Sequence, residues 1–146
     1  MNSYERINDV LVNLFRDILT LEEKAMAGSD FRDLSMNDWH VLEAVGSEGQ
    51  KNMSQIAKEL TVTLGSLTTA MNGLCRRGYT QRRRSETDRR VVNVSLTEKG
   101  IRAYHEHEQF HRHMIDAIIA DQTPEELEVL VRSLSKLTDF FMSFKR

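Results

Sequence analysis

Three observations predict a mainly α fold with one small β-hairpin. Apolar residues recur at helical spacing at both ends of the chain, two short capped helices meet at a tight turn, and a short β-branched alternation follows them. The middle of the chain then reads as a winged helix-turn-helix. The N- and C-terminal helices lie outside that unit and are expected to serve dimerisation. Pro124 is the only proline, so long helices are permitted almost everywhere.

Ile7, Val10, Leu11, Leu14, Phe15, Ile18 and Leu21 fall on helical spacing and predict a first helix over residues 4–26, ended by Gly28-Ser29-Asp30. Ser35, with Asp38 three residues on, caps a short second helix carrying Trp39, Val41, Leu42 and Val45 and stopping near Gly46. Glu48-Gly49-Gln50 reads as a loop. Ser54 is read as the cap of a third helix over 55–60. Thr63 caps a fourth that runs to residue 77, with Gly78 as its stop. Two short helices across a tight turn make a helix-turn-helix.

Two strands are predicted next, over 79–83 and 91–96. Val92, Val94 and Leu96 alternate with Asn93 and Ser95, and the seven residues 84–90 between the strands are almost all charged or polar. This is a hairpin with a long exposed tip. Thr97 caps a fifth helix reaching about residue 120. Thr123, Pro124 and Glu126 take the cap, first helical and reciprocal capping positions of a sixth. Its stripe of Leu127, Leu130, Val131, Leu134, Leu137, Phe140, Phe141 and Phe144 is long for the last helix of a monomer. The whole of 1–146 is read as one domain, with dimerisation helices over 1–34 and 101–146 and a winged helix-turn-helix lobe over 35–100.

The 146 residues include 20 Lys or Arg and 22 Asp or Glu, a net charge of −2. That balance is uneven along the chain. Residues 51–96 hold nine basic and three acidic side chains, a net +6, whereas the flanks hold 11 and 19, a net −8. A basic block between acidic flanks points to a nucleic-acid or membrane surface. Hydrophobic content of 40% with 29% charged residues is globular composition, not disorder. The one cysteine, Cys75, excludes an intramolecular disulfide and suits a reducing compartment. No apolar run approaches the roughly 20 residues of a membrane span, and no signal-peptide core is present. A cytoplasmic protein without a membrane partner is expected.

Asp88-Arg89-Arg90 followed by Leu96-Thr97-Glu98-Lys99-Gly100 resembles the D-x-R wing and the L-T-x-x-G helix opening of the MarR family of transcriptional regulators. Leu74-Cys75-Arg76-Arg77-Gly78-Tyr79 is similar to that family's passage from helix to wing. Within the family, Val62 to Thr69 and Arg84 to Val92 look most like the branch that represses fatty-acid synthesis genes. The resemblance covers the whole chain. It implies a homodimer held by first, fifth and sixth helices, and a regulator of palindromic operators rather than an enzyme. It also implies a long acyl chain, presented on acyl carrier protein, as co-repressor. Helix faces suggest Leu11, Phe15, Tyr104 and Met114 as the lining of an effector pocket for that chain or another small molecule.

On double-stranded DNA, the fourth helix offers the short polar side chains Thr63, Ser66, Thr68, Thr69 and Asn72 to base edges and phosphates. Arg76, near the end of that helix, adds a cation. The hairpin adds Arg82, Arg83, Arg84, Arg89 and Arg90, suited to the negative potential of a narrow minor groove. Asp88 would not touch phosphate, and the resemblance implies that it orients Arg90.

His107-Glu108-Gln109-Phe110-His111 spells the H-E-x-x-H of zinc proteases, which puts two histidines on one helix face with a glutamate as general base. A hydrolase would also need a cleft and a third ligand from somewhere like Glu125 or Glu126 on the next helix, and nothing else suggests a protease. His107 and His111 fill missing steps of the fifth helix's apolar stripe, and Glu22 interrupts the first helix's stripe. Two readings stand for these residues. One is a buried polar network that ties the dimer helices to the DNA-binding lobe. The other is zinc, since the family's zinc-responsive branch uses four ligands at the positions of Glu22, His40, His107 and His111, a set that suits tetrahedral coordination. No cofactor is otherwise required. Cys75, beside Leu74 and Met71 in sequence, reads as a small buried residue rather than a redox switch.

Overall fold

A computed structural model describes residues 1–144, in the order α1 (Ser3–Ala27), α2 (Met36–Val45), β1 (Lys51–Asn52), α3 (Met53–Leu60), α4 (Leu64–Arg76), β2 (Thr80–Arg84), β3 (Val92–Leu96), α5 (Glu98–Ile119) and α6 (Pro124–Ser143). The helices begin where side chains satisfy their first amides. Asn2 with Glu5, Ser35 with Asp38, and Thr123 with Glu126 form reciprocal capping boxes on α1, α2 and α6. Thr63 accepts from the Ser66 amide at the start of α4, and Thr97 accepts from the Gly100 amide at the start of α5.

Two sequence expectations need correction. The cap of α3 is Asn52, boxed with Gln55, so the helix starts at Met53 and not after Ser54. Asn and Ser are comparable caps, and the reciprocal Gln55 bond decides for Asn52. The sheet is also larger than a hairpin. The two-residue β1 pairs antiparallel with β3, giving the order β1-β3-β2 with Lys51 opposite Val94 and Arg82 opposite Val94 on the other edge. Two residues are too few to show an alternating pattern.

The chain divides into two compact units, residues 1–110 and 111 onward, with the boundary inside α5. In the first unit, Trp39, Val41, Leu42 and Val45 of α2, Ile56 of α3 and Leu67, Met71 and Leu74 of α4 are all essentially inaccessible, together with Tyr79 and Val94. The 67, 71, 74 spacing turns one face of α4 inward and leaves the opposite face to solvent. Gly100 carries the join to α5. A Cβ there would lie 2.0 Å from the Tyr79 carbonyl oxygen, so only glycine allows α5 to come this close to the start of the wing.

Much of the apolar surface of α1 stays uncovered. Ile7, Val10, Phe15 and Leu19 are each more than half exposed, and only Glu22 and Met26 are buried. In the second unit α6 has no buried residue, and Val131, Leu134, Phe140 and Phe144 are exposed. Phe140 packs edge-on against both Phe141 and Phe144. No described helix is long and apolar enough to cross a membrane.

Candidate nucleic-acid interface

The outward face of α4 carries the residues that the sequence marks. Thr63, Ser66, Thr69 and Asn72 are exposed and Thr68 is half-buried. Their hydroxyls are already partly committed. Thr63 Oγ1 accepts from the Ser66 amide at 3.1 Å and lies 2.9 Å from Ser66 Oγ. Thr68 donates to the Leu64 carbonyl at 2.8 Å and Thr69 to the Gly65 carbonyl at 3.2 Å. Both threonines therefore present lone pairs and methyl groups outward rather than protons. Leu64, absent from the sequence expectation, is 51% exposed in the first turn. Arg76 is exposed at the other end of the helix.

The wing brings its cations to both sides of the sheet edge. Arg82 and Arg90 line a depression of about 340 Å³ together with Leu64 and Thr68 of α4 and Asn52 and Ser54 near the start of α3. Arg83 shares a second depression with Gln50, Gln81, Asn93 and Ser95. Arg84 and Arg89 are exposed. At the tip, Ser85 Oγ accepts from the Thr87 and Asp88 amides, and the Ser85 amide donates to the Val91 carbonyl at 2.8 Å.

The expected pair of Asp88 and Arg90 is present. The Arg90 amide and Nε donate to Asp88 Oδ1 at 3.0 and 3.1 Å, and Nη2 donates to Oδ2 at 3.3 Å. The guanidinium bonds, followed by the amide bond, hold the Asp88 carboxyl below its usual range. Arg90 itself keeps 91% of its side chain in solvent, aimed but uncovered.

A seam behind this surface fixes the end of α4 against the α1–α2 connection, α2 and the start of α5. Arg77 donates to the Asp33 carbonyl at 2.7 Å, to Asp38 Oδ2 at 3.1 Å and to its own helix at Gly73. Tyr79, buried, donates its hydroxyl to Asp33 Oδ1 at 2.6 Å. Burial first, then the bond to Asp33, pushes the Tyr79 phenol above its usual value. Lys99 Nζ sits 4.4 Å over the Tyr79 ring and donates to the Arg77 carbonyl. Asp33 is unmarked in the sequence, and Arg77 and Lys99 stand there only inside the strings that carry the resemblance, with no partner assigned.

Against this geometry, the MarR family profile matches residues 34–92, from the end of the α1–α2 connection to the wing. Streptococcus pneumoniae FabT, solved as a crystal structure in complex with DNA, is 40% identical. The match covers 97% of this chain and 99% of that one, with a TM-score of 0.89. The transcriptional regulator ZitR of Lactococcus lactis subsp. cremoris is 32% identical over 111 residues, 74% of this chain and 76% of ZitR. The HTH-type transcriptional regulator MhqR of Bacillus subtilis is 30% identical over 104 residues, 71% of this chain and 72% of MhqR. The chain belongs to the MarR family. It is a DNA-binding transcriptional regulator and not an enzyme.

In this MarR-family chain the H-E-x-x-H string is therefore no hydrolase. His107 is buried and hydrogen-bonded to the buried Glu22 carboxylate, and its ring stacks on Trp39 with centroids 5.3 Å apart. His111 follows one turn later on α5, half-buried. The structure does not bring His40 to Glu22 and His107. His40 is exposed and lines a depression with Asn37, Val62 and Ser66. The reason lies in α2, where Trp39 faces His107 and the next residue is turned about 100° away. An imidazole and a carboxylate are donors that suit zinc, and they also satisfy one another as a polar pair.

The residues expected to line an effector pocket are placed unevenly. Leu11 and Tyr104 are half-buried in the first unit, with Tyr104 packed against the core, while Phe15 is 51% exposed. Met114 is half-buried in the second unit. Cys75 is half-buried, with its sulfur 3.2 Å from Thr80 Oγ1.

Proposed function

We propose that this chain is a sequence-specific repressor acting in the cytoplasm as a homodimer on palindromic operators. The observation that carries this reading is the shared depression in which Leu64 and Thr68 of α4 meet Arg82 and Arg90 of the wing. In this reading Ser66, Thr68, Thr69 and Asn72 read base edges, with Thr63 as the cap that sets the first turn. Arg76, Arg82, Arg83, Arg84, Arg89 and Arg90 neutralise phosphates or enter the minor groove, and Asp88 aims Arg90. The exposed apolar residues of α1 and α6 support dimerisation, since a monomer gains nothing by leaving them in water.

A duplex selected from a random-sequence library by the protein tests this. Its half-sites should repeat about one helical turn apart. Arg90→Ala should weaken binding, and affinity should fall steeply between low and moderate salt. Binding that ignores both changes overturns the reading.

For the regulated genes, the resemblance of segments 62–69 and 84–92 supports fatty-acid synthesis, with an acyl chain on acyl carrier protein as co-repressor. A co-repressor acts only through a higher affinity for the DNA-competent state. Adding long-chain acyl carrier protein should therefore tighten operator binding, and binding indifferent to it sinks the assignment. Burial of Glu22 against His107 favours a second reading, a zinc-responsive regulator with Glu22 and His107 among its ligands. Metal analysis after zinc loading checks it. Bound zinc that is lost in His107→Ala supports it, and metal-free protein excludes it.

A further inference from the structure

We infer that Gly65 is a specificity-determining residue, whose missing side chain lets the first turn of α4 lie against the DNA. The inference rests on α4 being the DNA-reading helix.

Gly65 is an exposed helical residue between Leu64 and Ser66, and its backbone is ordinary right-handed helix. Glycine is there at a conformational disadvantage, because it is a poor helix former and gains nothing from this φ and ψ. Four of the other six glycines have internal reasons. Gly46, Gly49 and Gly78 adopt positive φ, and Gly100 is pressed against the Tyr79 carbonyl. Gly28 at the end of α1 and the half-buried Gly73, whose Cβ would meet only the flexible ends of Arg77 and Arg76, share the right-handed conformation of Gly65 and lie outside the first turn of α4. Gly65 has none of those four reasons, since beyond its two chain neighbours and the helix's own backbone no described atom lies within 4 Å of where its Cβ would be. The Thr69 hydroxyl bonds the Gly65 carbonyl from the following turn, and a Cβ leaves that bond room. Inside the protein, alanine would fit better than glycine.

What alanine would disturb is therefore outside the protein. Leu64 in front, 51% exposed, and Ser66 behind mark the same turn as a contact surface. A bare Cα allows a helix backbone to approach a ligand more closely than any other residue does. A methyl group at 65 would lift this turn from the groove. It would weaken the base contacts of Ser66, Thr69 and Asn72 while leaving the phosphate contacts of the wing in place. The loss should then fall on sequence-specific binding rather than on general DNA affinity.

The test compares wild type with Gly65→Ala and Gly65→Leu, using a duplex selected by the wild-type protein and an unrelated duplex of equal length. Both variants should melt no lower than wild type. Affinity for the selected duplex should drop about tenfold for Ala, the scale of one lost base contact, and further for Leu. Affinity for the unrelated duplex should change little. A smaller loss on the selected duplex, an equal loss on both duplexes, or a lower melting temperature overturns the inference. Arg90→Ala and Thr69→Ala run beside them. If these lose affinity while the Gly65 series does not, only the inference fails; if none loses affinity, the reading of α4 and the wing fails with it.

Discussion

At the scale of single residues, two positions translate directly into measurements. Asp88 and Arg90 form a three-bond pair at the wing tip, so Asp88→Asn leaves the cation in place but frees its direction. Asp88→Asn should weaken operator binding less than Arg90→Ala and leave the salt slope unchanged, whereas Arg90→Ala should reduce the slope by about 2 per dimer if each copy touches a phosphate. Because the folded-state value of Asp88 lies below its ordinary 3.8, the pair is present above that value and is lost only as pH falls through the folded one. Wing geometry should therefore hold constant between about pH 5 and 8. A carboxyl carbon titration of Asp88 by NMR checks this, and a midpoint above 4 contradicts it. Gly100→Ala is the second case. Its Cβ would sit 2.0 Å from a backbone oxygen, an overlap that no rotamer relieves. It should cost about 3 kcal/mol in urea unfolding, near the upper end for overpacked sites.

At the scale of elements, the seam of Arg77, Tyr79, Asp33 and Lys99 ties the junction between α4 and β2 to the α1–α2 connection, α2 and the start of α5. Arg77→Ala removes bonds to the Asp33 carbonyl and to the little-exposed Asp38, and should cost about 2 kcal/mol. Tyr79→Phe keeps the buried ring and the Lys99 contact but loses the hydroxyl bond, and should cost about 1 kcal/mol. Because the Tyr79 phenol is raised, its contribution is complete below pH 10 and is lost as pH rises from there through the folded value. Absorbance titration should show this phenolate forming well above pH 10. The seam was not legible in the sequence, because its bonds to Asp33 and Asp38 join residues 39 to 46 positions apart and the Lys99 bond spans 22. What was legible is local. Thr63 as cap and the polar face of α4 follow from spacing within one helix, and so does the reciprocal pair of Thr123 and Glu126. The cap of α3 was local too and was missed: Asn52 and Ser54 are both fair caps, and Gln55 three residues after Asn52 completes the reciprocal box that decides for Asn52. The direction of His40 fails for a different reason. Trp39, Val41, Leu42 and Val45 give α2 apolar residues on more than one side, so only the packed structure shows that Trp39 faces His107.

At the scale of the whole molecule, the charge distribution and the uncovered apolar residues bear on the same question of assembly. The +6 of residues 51–96 coincides with β1, α3, α4 and the wing, whereas the −8 lies on segments not proposed to touch DNA. A net charge of −2 is thus compatible with tight DNA binding, because phosphates meet one surface and not the average. A single winged helix has few cations to spend, and a palindrome read by two copies doubles them without any new contact within a protomer. The apolar residues of α1 and α6 would supply the holding force. Leu134 and Phe141 are each about half exposed on a helix that buries none of its own residues. Leu134→Glu with Phe141→Glu should give a monomer by sedimentation, with the core around Trp39 still folded by near-ultraviolet circular dichroism. Operator affinity should collapse and the salt slope should fall to about half, since each copy contributes its own phosphates. A double variant that remains dimeric with full affinity would show that α6 is not the seat of assembly. A folded monomer with undiminished affinity would show that one protomer carries the whole recognition surface.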